Sequence, residues 1–282
     1  MIDISEQLVA LLILGTFLSC TQKDLSKRSF EIPAEFNVLN ADFQNYFREC
    51  NTSGSIIIFD QNKQQYISND TIAIRKATVP ASTFKILNLL IALETEVIQD
   101  EKEVVKWPGS IDTDKYGFRK NIWKDMTVEE AFKESAGWVF VELAKRVGRE
   151  TYRHYLELCN YGNQDLSEED IDFWNFGAMG ISPLNQIKFI KDVYNENLPF
   201  SKRNFNILKK VMLTEETSNY KIRSKTGWSG RDVGLNIGWW VGYIESTNNV
   251  VFFATRLIQE RMNTTNDFGD CRKSITMNII AE

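Results

Sequence analysis

The sequence predicts an α/β (α+β) protein in which an antiparallel sheet is assembled from both chain ends, with a mostly helical lobe inserted between them. Three observations carry that expectation. β-rich runs lie near the start of the chain and return near its end, while the middle repeats apolar residues at helical spacing. No fixed-period repeat or linker divides the two halves, and with 43% hydrophobic residues in 282 the chain can bury a large core. One folding unit with two lobes follows, and the crevice between the lobes is the natural place for a site.

The elements justify themselves in order. Leu8 to Leu18, "LVALLILGTFL", is an apolar run of signal-peptide length, too short to span a membrane comfortably. It ends in "FLSC", which looks like a lipobox, so residues 1–20 are expected to be an export signal leading to the periplasm. A lipid on Cys20 would tie the chain to a bacterial membrane. Asp3 and Glu6 precede the run where an export signal usually carries lysine or arginine, and a simple cleaved signal or a mis-called start codon stays the alternative. A polar segment, residues 21–33, is expected to be flexible.

"GSIIIFDQNKQQYISND" alternates and breaks at Asp60-Gln61-Asn62, the pattern of two paired strands. "STFKILNLLIALETEVI" places apolar residues at helical spacing behind a Ser/Thr start. "TVEEAFKESAGWVFVELAKRVG" reads as a helical stretch closing on Gly148, and "SPLNQIKFIKDVYNENL" opens on Ser182-Pro183. "KIRSKTGW", "NIGWWVGYIES" and "VVFFATRLI" return to strand character, the last two forming a hairpin across Thr247-Asn248-Asn249. "RKSITMNIIAE" closes the chain as a helix.

Charge and cysteines narrow the function classes. A formal net charge of -5 gives no reason to expect nucleic acid, and an anionic substrate would need a local cluster of cations. Cys50, Cys159 and Cys271 stand far apart with no C-x-x-C, so neither a zinc site nor a disulfide framework follows and no metal is expected. One bridge is compatible with an oxidising compartment, its pairing left open.

The single histidine, His154, sits in the helical "RETYRHYLELC" and reads as a helix-face residue, and there is no G-x-S-x-G, H-E-x-x-H or Walker A motif. A serine nucleophile would therefore need another base. Ser82 and Lys85 in "PASTFK" share a helix face at i and i+3, which brings amine and hydroxyl together. The helix N-terminus adds backbone N–H groups suited to an oxyanion, and apolar neighbours Phe84, Ile86, Leu87 and Leu90 would disfavour the charged lysine. Alone, this spacing also fits a serine N-cap with a solvated lysine. Three further fragments support chemistry. "SKTGW" ends a predicted strand with Lys225, Thr226 and Gly227, "ESAGWV" holds Ser135 in the helical middle, and "YGN" (161–163) precedes an acidic turn and "DFW" (172–174).

With "PASTFK", "YGN", "FW", "KTGW", "WWVGYIE" and "RKSI" in this order over nearly everything after the signal, the chain resembles the class D serine β-lactamases (oxacillinases). The resemblance implies a serine β-lactamase/penicillin-binding transpeptidase-like fold over residues 34–282, and hydrolysis of penicillin-type β-lactams that confers resistance. Ser82 would be the acylated nucleophile. Lys85, carboxylated by carbon dioxide or bicarbonate, would be the general base, with no other cofactor bound. Trp174 would donate its indole N–H to the carbamate and Ser135 would pass a proton to the leaving nitrogen. Lys225, Thr226 and Arg272 would receive the substrate carboxylate. The backbone N–H groups of Ser82 and Trp228 would form the oxyanion hole, with Gly227 allowing close approach. Tyr161 and Asn163 would shape a loop. One departure stands out, since the family's Ser-x-Val is here Ser135-Ala136-Gly137 and an apolar wall of the lysine pocket is missing, a space for Trp138 to refill. A β-lactam sensor or penicillin-binding protein, acylated without turnover, is the alternative.

Overall fold

The computed structural model describes residues 38–232, 234–263 and 267–281. The apolar N-terminal run and Cys20 lie outside them. Strand β1 (Val38–Asn40) and helix α1 (Gln44–Glu49) lead into β2 (Ser53–Asp60) and β3 (Gln65–Ser68). The helical lobe follows as α2 (Lys85–Glu94), β4 (Val104–Val105), α3 (Thr113–Tyr116), β5 (Met126–Thr127), α4 (Val128–Lys133), α5 (Gly137–Val147), α6 (Arg149–Leu158) and α7 (Phe173–Phe176). Then α8 (Pro183–Asn195) and α9 (Lys202–Val211) return the chain to β6 (Leu213–Glu216), β7 (Tyr220–Asp232), β8 (Leu235–Ser246) and β9 (Val250–Glu260), and α10 (Phe268–Ala281) closes it.

The main sheet has the order β1-β3-β2-β9-β8-β7-β6, antiparallel except for the β1–β3 pair. Its centre joins the first hairpin to the last, Ile57 opposite Ala254, so both chain ends do build one sheet. On one face, α1 and α10 bury Phe47, Phe268, Ile275 and Ile279 against Ile56, Ile58, Trp240, Phe253 and Leu257. Cys50 at the end of α1 and Cys271 in α10 form a disulfide, which resolves the open pairing, and Cys159 is a buried free thiol. α8 covers the other face at β2, β8 and β9.

Helix α2 is buried from Lys85 to Leu93, as expected of a helix apolar on all sides at the centre of its lobe. It ends at Glu94, short of the periodic run, where Glu96 turns left-handed. α8 starts as read, with Ser182 accepting from the Asn185 N–H and Pro183 in the first turn, and Gly148 at φ 83° closes α5.

Two readings need correction. The segment 127–148 is not continuous helix. α4 stops in a reverse turn in which Ala136 N–H donates to Ala131 O at 2.8 Å, and Ser135 takes φ 56°, so Ser135 lies in a helix break. The apolar period runs through the break, which is why the sequence pattern hides it. "KTG" likewise does not end its strand, because β7 continues to Asp232 and the three residues pair in mid-strand with Val241, Trp240 and Trp239.

Candidate active site

A single turn of 3₁₀ helix, Ala81–Phe84, precedes α2 and presents Ser82 at its surface. Ala81 sits at φ 50°, a conformation that disfavours any side chain and costs about 1–3 kcal/mol, held here by complete burial. The turn is clamped from several sides. Thr83 Oγ1 donates to Pro80 O at 2.7 Å, Gln186 Nε2 donates to Thr83 Oγ1 at 2.7 Å, and Trp239 Nε1 donates to Val79 O at 2.9 Å. β7 passes so close that a Cβ on Gly227 would lie 3.0 Å from Pro80 O and 3.3 Å from Thr83 N. Glycine at 227 is what lets the strand approach the serine.

Lys85, one turn on, is fully buried, and its Nζ donates to Ser82 Oγ at 2.7 Å. Burial pulls its pKa down to about 8, partly opposed by the Asp172 carboxylate and reinforced by Arg119. The ammonium is thus easier to deprotonate at the nucleophile than an ordinary lysine. Lys225 from β7 is 4% exposed, and its Nζ donates to Ser135 Oγ at 3.0 Å and to Thr226 O at 3.0 Å. Burial first, then the charges of Lys85, Arg272, Arg119 and Lys273, hold it well below the usual lysine range. Arg272 donates through Nη1 to Gly227 O at 2.7 Å and is pushed down to about 10 by burial, so it stays cationic near neutrality. Arg272, with the Arg119 guanidinium on the same cleft, gives an acidic chain a local cationic field suited to a carboxylate ligand.

Ser82, Lys85, Ser135, Thr226, Gly227, Trp228 and Arg272 line one cleft of about 720 Å³. Lys225 and Trp174 stand behind its wall. Trp174 is buried with its ring 5.3 Å from Phe84, and its Nε1 has no hydrogen-bond partner. A buried unpaired indole N–H is costly, and it fits a carboxyl group carried on the lysine nitrogen. Trp228 is 46% exposed, its Nε1 donating to Asn236 Oδ1 at 3.2 Å and its ring packing on Phe268, a packing role for the side chain.

The loop 161–176 is shaped by the residues read as structural. Asn163 Oδ1 accepts from Gly180 N–H at 2.9 Å while Asn163 Nδ2 donates to Ala178 O at 3.0 Å. Tyr161 is buried against Phe84 and Phe189. The space at Gly137 is not closed by Trp138, whose Nε1 turns to Ile122 O at 2.7 Å and whose ring meets Trp107. Apart from the chain neighbours, a Cβ at Gly137 would meet only Tyr116 Cδ1, 3.9 Å away. Tyr116, Trp123 and Arg119, all lining the cleft, carried no sequence signal, and Asp172 was visible only as the first letter of "DFW".

Comparison with known proteins agrees with this geometry. The family model described as the penicillin binding protein transpeptidase domain matches residues 51–281. Beta-lactamase OXA-48 of Klebsiella pneumoniae is 36% identical over 86% of this chain and 88% of its own. Regulatory protein BlaR1 of Bacillus licheniformis is 30% identical over 90% of this chain but 42% of its own length. The crystal structure of a class D beta-lactamase from Sebaldella termitidis superposes with a TM-score of 0.80 at 38% identity, covering 86% of this chain and 96% of that one. With the serine–lysine pair in place and relatives of this identity and coverage, the chain belongs to the class D serine β-lactamases.

Proposed function

We propose that this protein hydrolyses β-lactam antibiotics through an acyl-enzyme on Ser82. The observation that carries the reading is the 2.7 Å bond from the buried Lys85 Nζ to Ser82 Oγ, in one cleft with Ser135, whose hydroxyl accepts from the buried Lys225. Arg272, Thr226 and Lys225 receive the substrate carboxylate, which sets the lactam carbonyl at Ser82. Ser82 Oγ loses its proton toward Lys85 and attacks the carbonyl carbon, while the N–H groups of Ser82 and Trp228 face the developing oxyanion. As the ring C–N bond breaks, Ser135, hydrogen-bonded to Lys225, passes a proton to the leaving nitrogen. A carboxyl group on Nζ, when carried, supplies an anionic base at Ser82 for the attack and for the water that releases the product. Lys85 and Trp174 are the residues that would hold it, and the unpartnered indole N–H supports that assignment.

Residues 34–282 form the catalytic domain in this reading, 21–33 a flexible segment, and 1–20 an export signal to the periplasm, with lipid attachment at Cys20 its membrane-anchored form. The Cys50–Cys271 bridge, suited to an oxidising compartment, supports export. The likeness to BlaR1 favours one alternative, a sensor that is acylated at Ser82 without turnover. The test is hydrolysis of a chromogenic β-lactam by protein lacking residues 1–20, with and without bicarbonate, followed by intact mass. Sustained turnover that rises with bicarbonate and vanishes in Ser82→Ala is expected. A stable mass adduct after one turnover would overturn hydrolysis and leave the sensor.

A further inference from the structure

The hydrolytic scheme leaves one buried acid beside Lys85 unused. Asp172 is 0% exposed, two residues before Trp174. Its Oδ1 accepts from Asn175 Nδ2 at 2.8 Å, and its Oδ2 has no hydrogen-bond partner. Tyr116 stands near the carboxyl, its ring in edge contact with Phe176 at 5.5 Å and next to the Lys115–Asp170 ion pair. The charged and titratable groups facing Asp172 are Lys85 of α2 and Tyr116 and Lys115 of α3. Lys85 and Asp172 are near enough that each charge moves the other. Neither Tyr116 nor the amide of Asn175 makes Asp172 permanently anionic, and burial pushes it up to about 7.

We propose that Asp172 is the internal proton acceptor for carboxylation of Lys85, and that it stands as the neutral carboxylic acid in the carboxylated enzyme. The inference rests on the reading above that Lys85 Nζ is carboxylated. Carboxylation starts from the neutral Lys85 amine beside the Asp172 carboxylate. The amine lone pair forms the N–C bond to carbon dioxide, one C–O π pair moves onto oxygen, and one nitrogen proton passes to the Asp172 carboxylate. Amine, carboxylate and carbon dioxide thus become carbamate and carboxylic acid, with no proton released to solvent. Two anions side by side in a buried site would oppose each other, and taking up the proton at Asp172 removes that opposition.

Proton linkage distinguishes this device from a merely structural acid. Carboxylation of an isolated neutral amine releases one proton, so its affinity for dissolved carbon dioxide tightens about tenfold per pH unit. With Asp172 ionised and accepting that proton internally, release falls to zero and the affinity stays flat. The experiment titrates the purified chain with ¹³C-labelled carbon dioxide at fixed dissolved concentration, from about pH 9 to about pH 10, above the titration of Lys85 at about 8. The carbamate ¹³C resonance is integrated in the native protein and in Asp172→Asn, which keeps the side-chain shape. A flat native profile beside a variant rising about tenfold is expected. A native profile that itself rises about tenfold overturns the proposal, with or without a folded variant. No carbamate resonance in either protein would instead overturn the carboxylated-lysine reading on which it rests.

Discussion

Reducing the Cys50–Cys271 bridge should destabilise the protein by several kcal/mol, and the size follows from how much chain it closes. The two cysteines are 221 residues apart in sequence, nearly the whole folded body. Loop-closure entropy for that separation amounts to about 18 cal/mol/K, or about 5 kcal/mol at 25 °C. Measured bridges usually deliver about 2–4 kcal/mol, because unfolded chains retain some compactness, so about 3–5 kcal/mol is the expected loss. A domain of this kind has about 5–15 kcal/mol in total. Cys271 is 5% exposed within the cluster under α10, so replacing both residues in Cys50→Ala/Cys271→Ala adds lost packing of about 1 kcal/mol to the lost cross-link. Urea unfolding followed by tryptophan fluorescence, oxidised against reduced, measures the difference. The midpoint should fall and the slope should steepen, since an uncrosslinked denatured state exposes more surface. A difference under about 1 kcal/mol with unchanged slope would refute the argument that this bridge constrains the unfolded chain. Arg272 follows Cys271 directly, so KM for a carboxylate substrate should rise on reduction before the fold is lost.

Further tests fall on single residues. Ser135→Gly relieves the φ 56° strain and should raise stability by about 1 kcal/mol, while loss of the hydroxyl that accepts from Lys225 lowers the acylation rate by about 10²-fold or more; thermal melts and stopped-flow acylation read the two effects separately. Trp174→Phe keeps the stacking on Phe84 but removes the unpartnered indole N–H, so the bicarbonate concentration for half-maximal turnover should rise about tenfold with little change in melting temperature. Arg272 is lowered by burial but remains charged below about pH 10, so KM should hold through neutrality and rise as pH passes upward through that value. A KM that stays flat as pH passes above about 10 would refute Arg272 as a carboxylate receptor.

The strands, the buried helix α2, the Ser182-Pro183 start and the Gly148 stop were legible in the sequence because each depends on residues within a few positions of one another. The fragments "STFK", "ESAGWV", "KTGW" and "RKSI", in the order the family resemblance uses, likewise pointed to Ser82, Lys85, Ser135, Lys225 and Arg272. The break at Ser135 was hidden because apolar spacing passes through it, and a left-handed serine is chosen by the packing around it rather than by its own preference. The orphaned Trp174 N–H, the turn of Trp138 away from Gly137 and the pairing of Cys50 with Cys271 depend on segments far apart in the chain. The same holds for Asp172 beside Lys85. Its carboxyl is an ordinary acid in sequence, and only burial against an amine contributed by a distant helix makes its charge consequential.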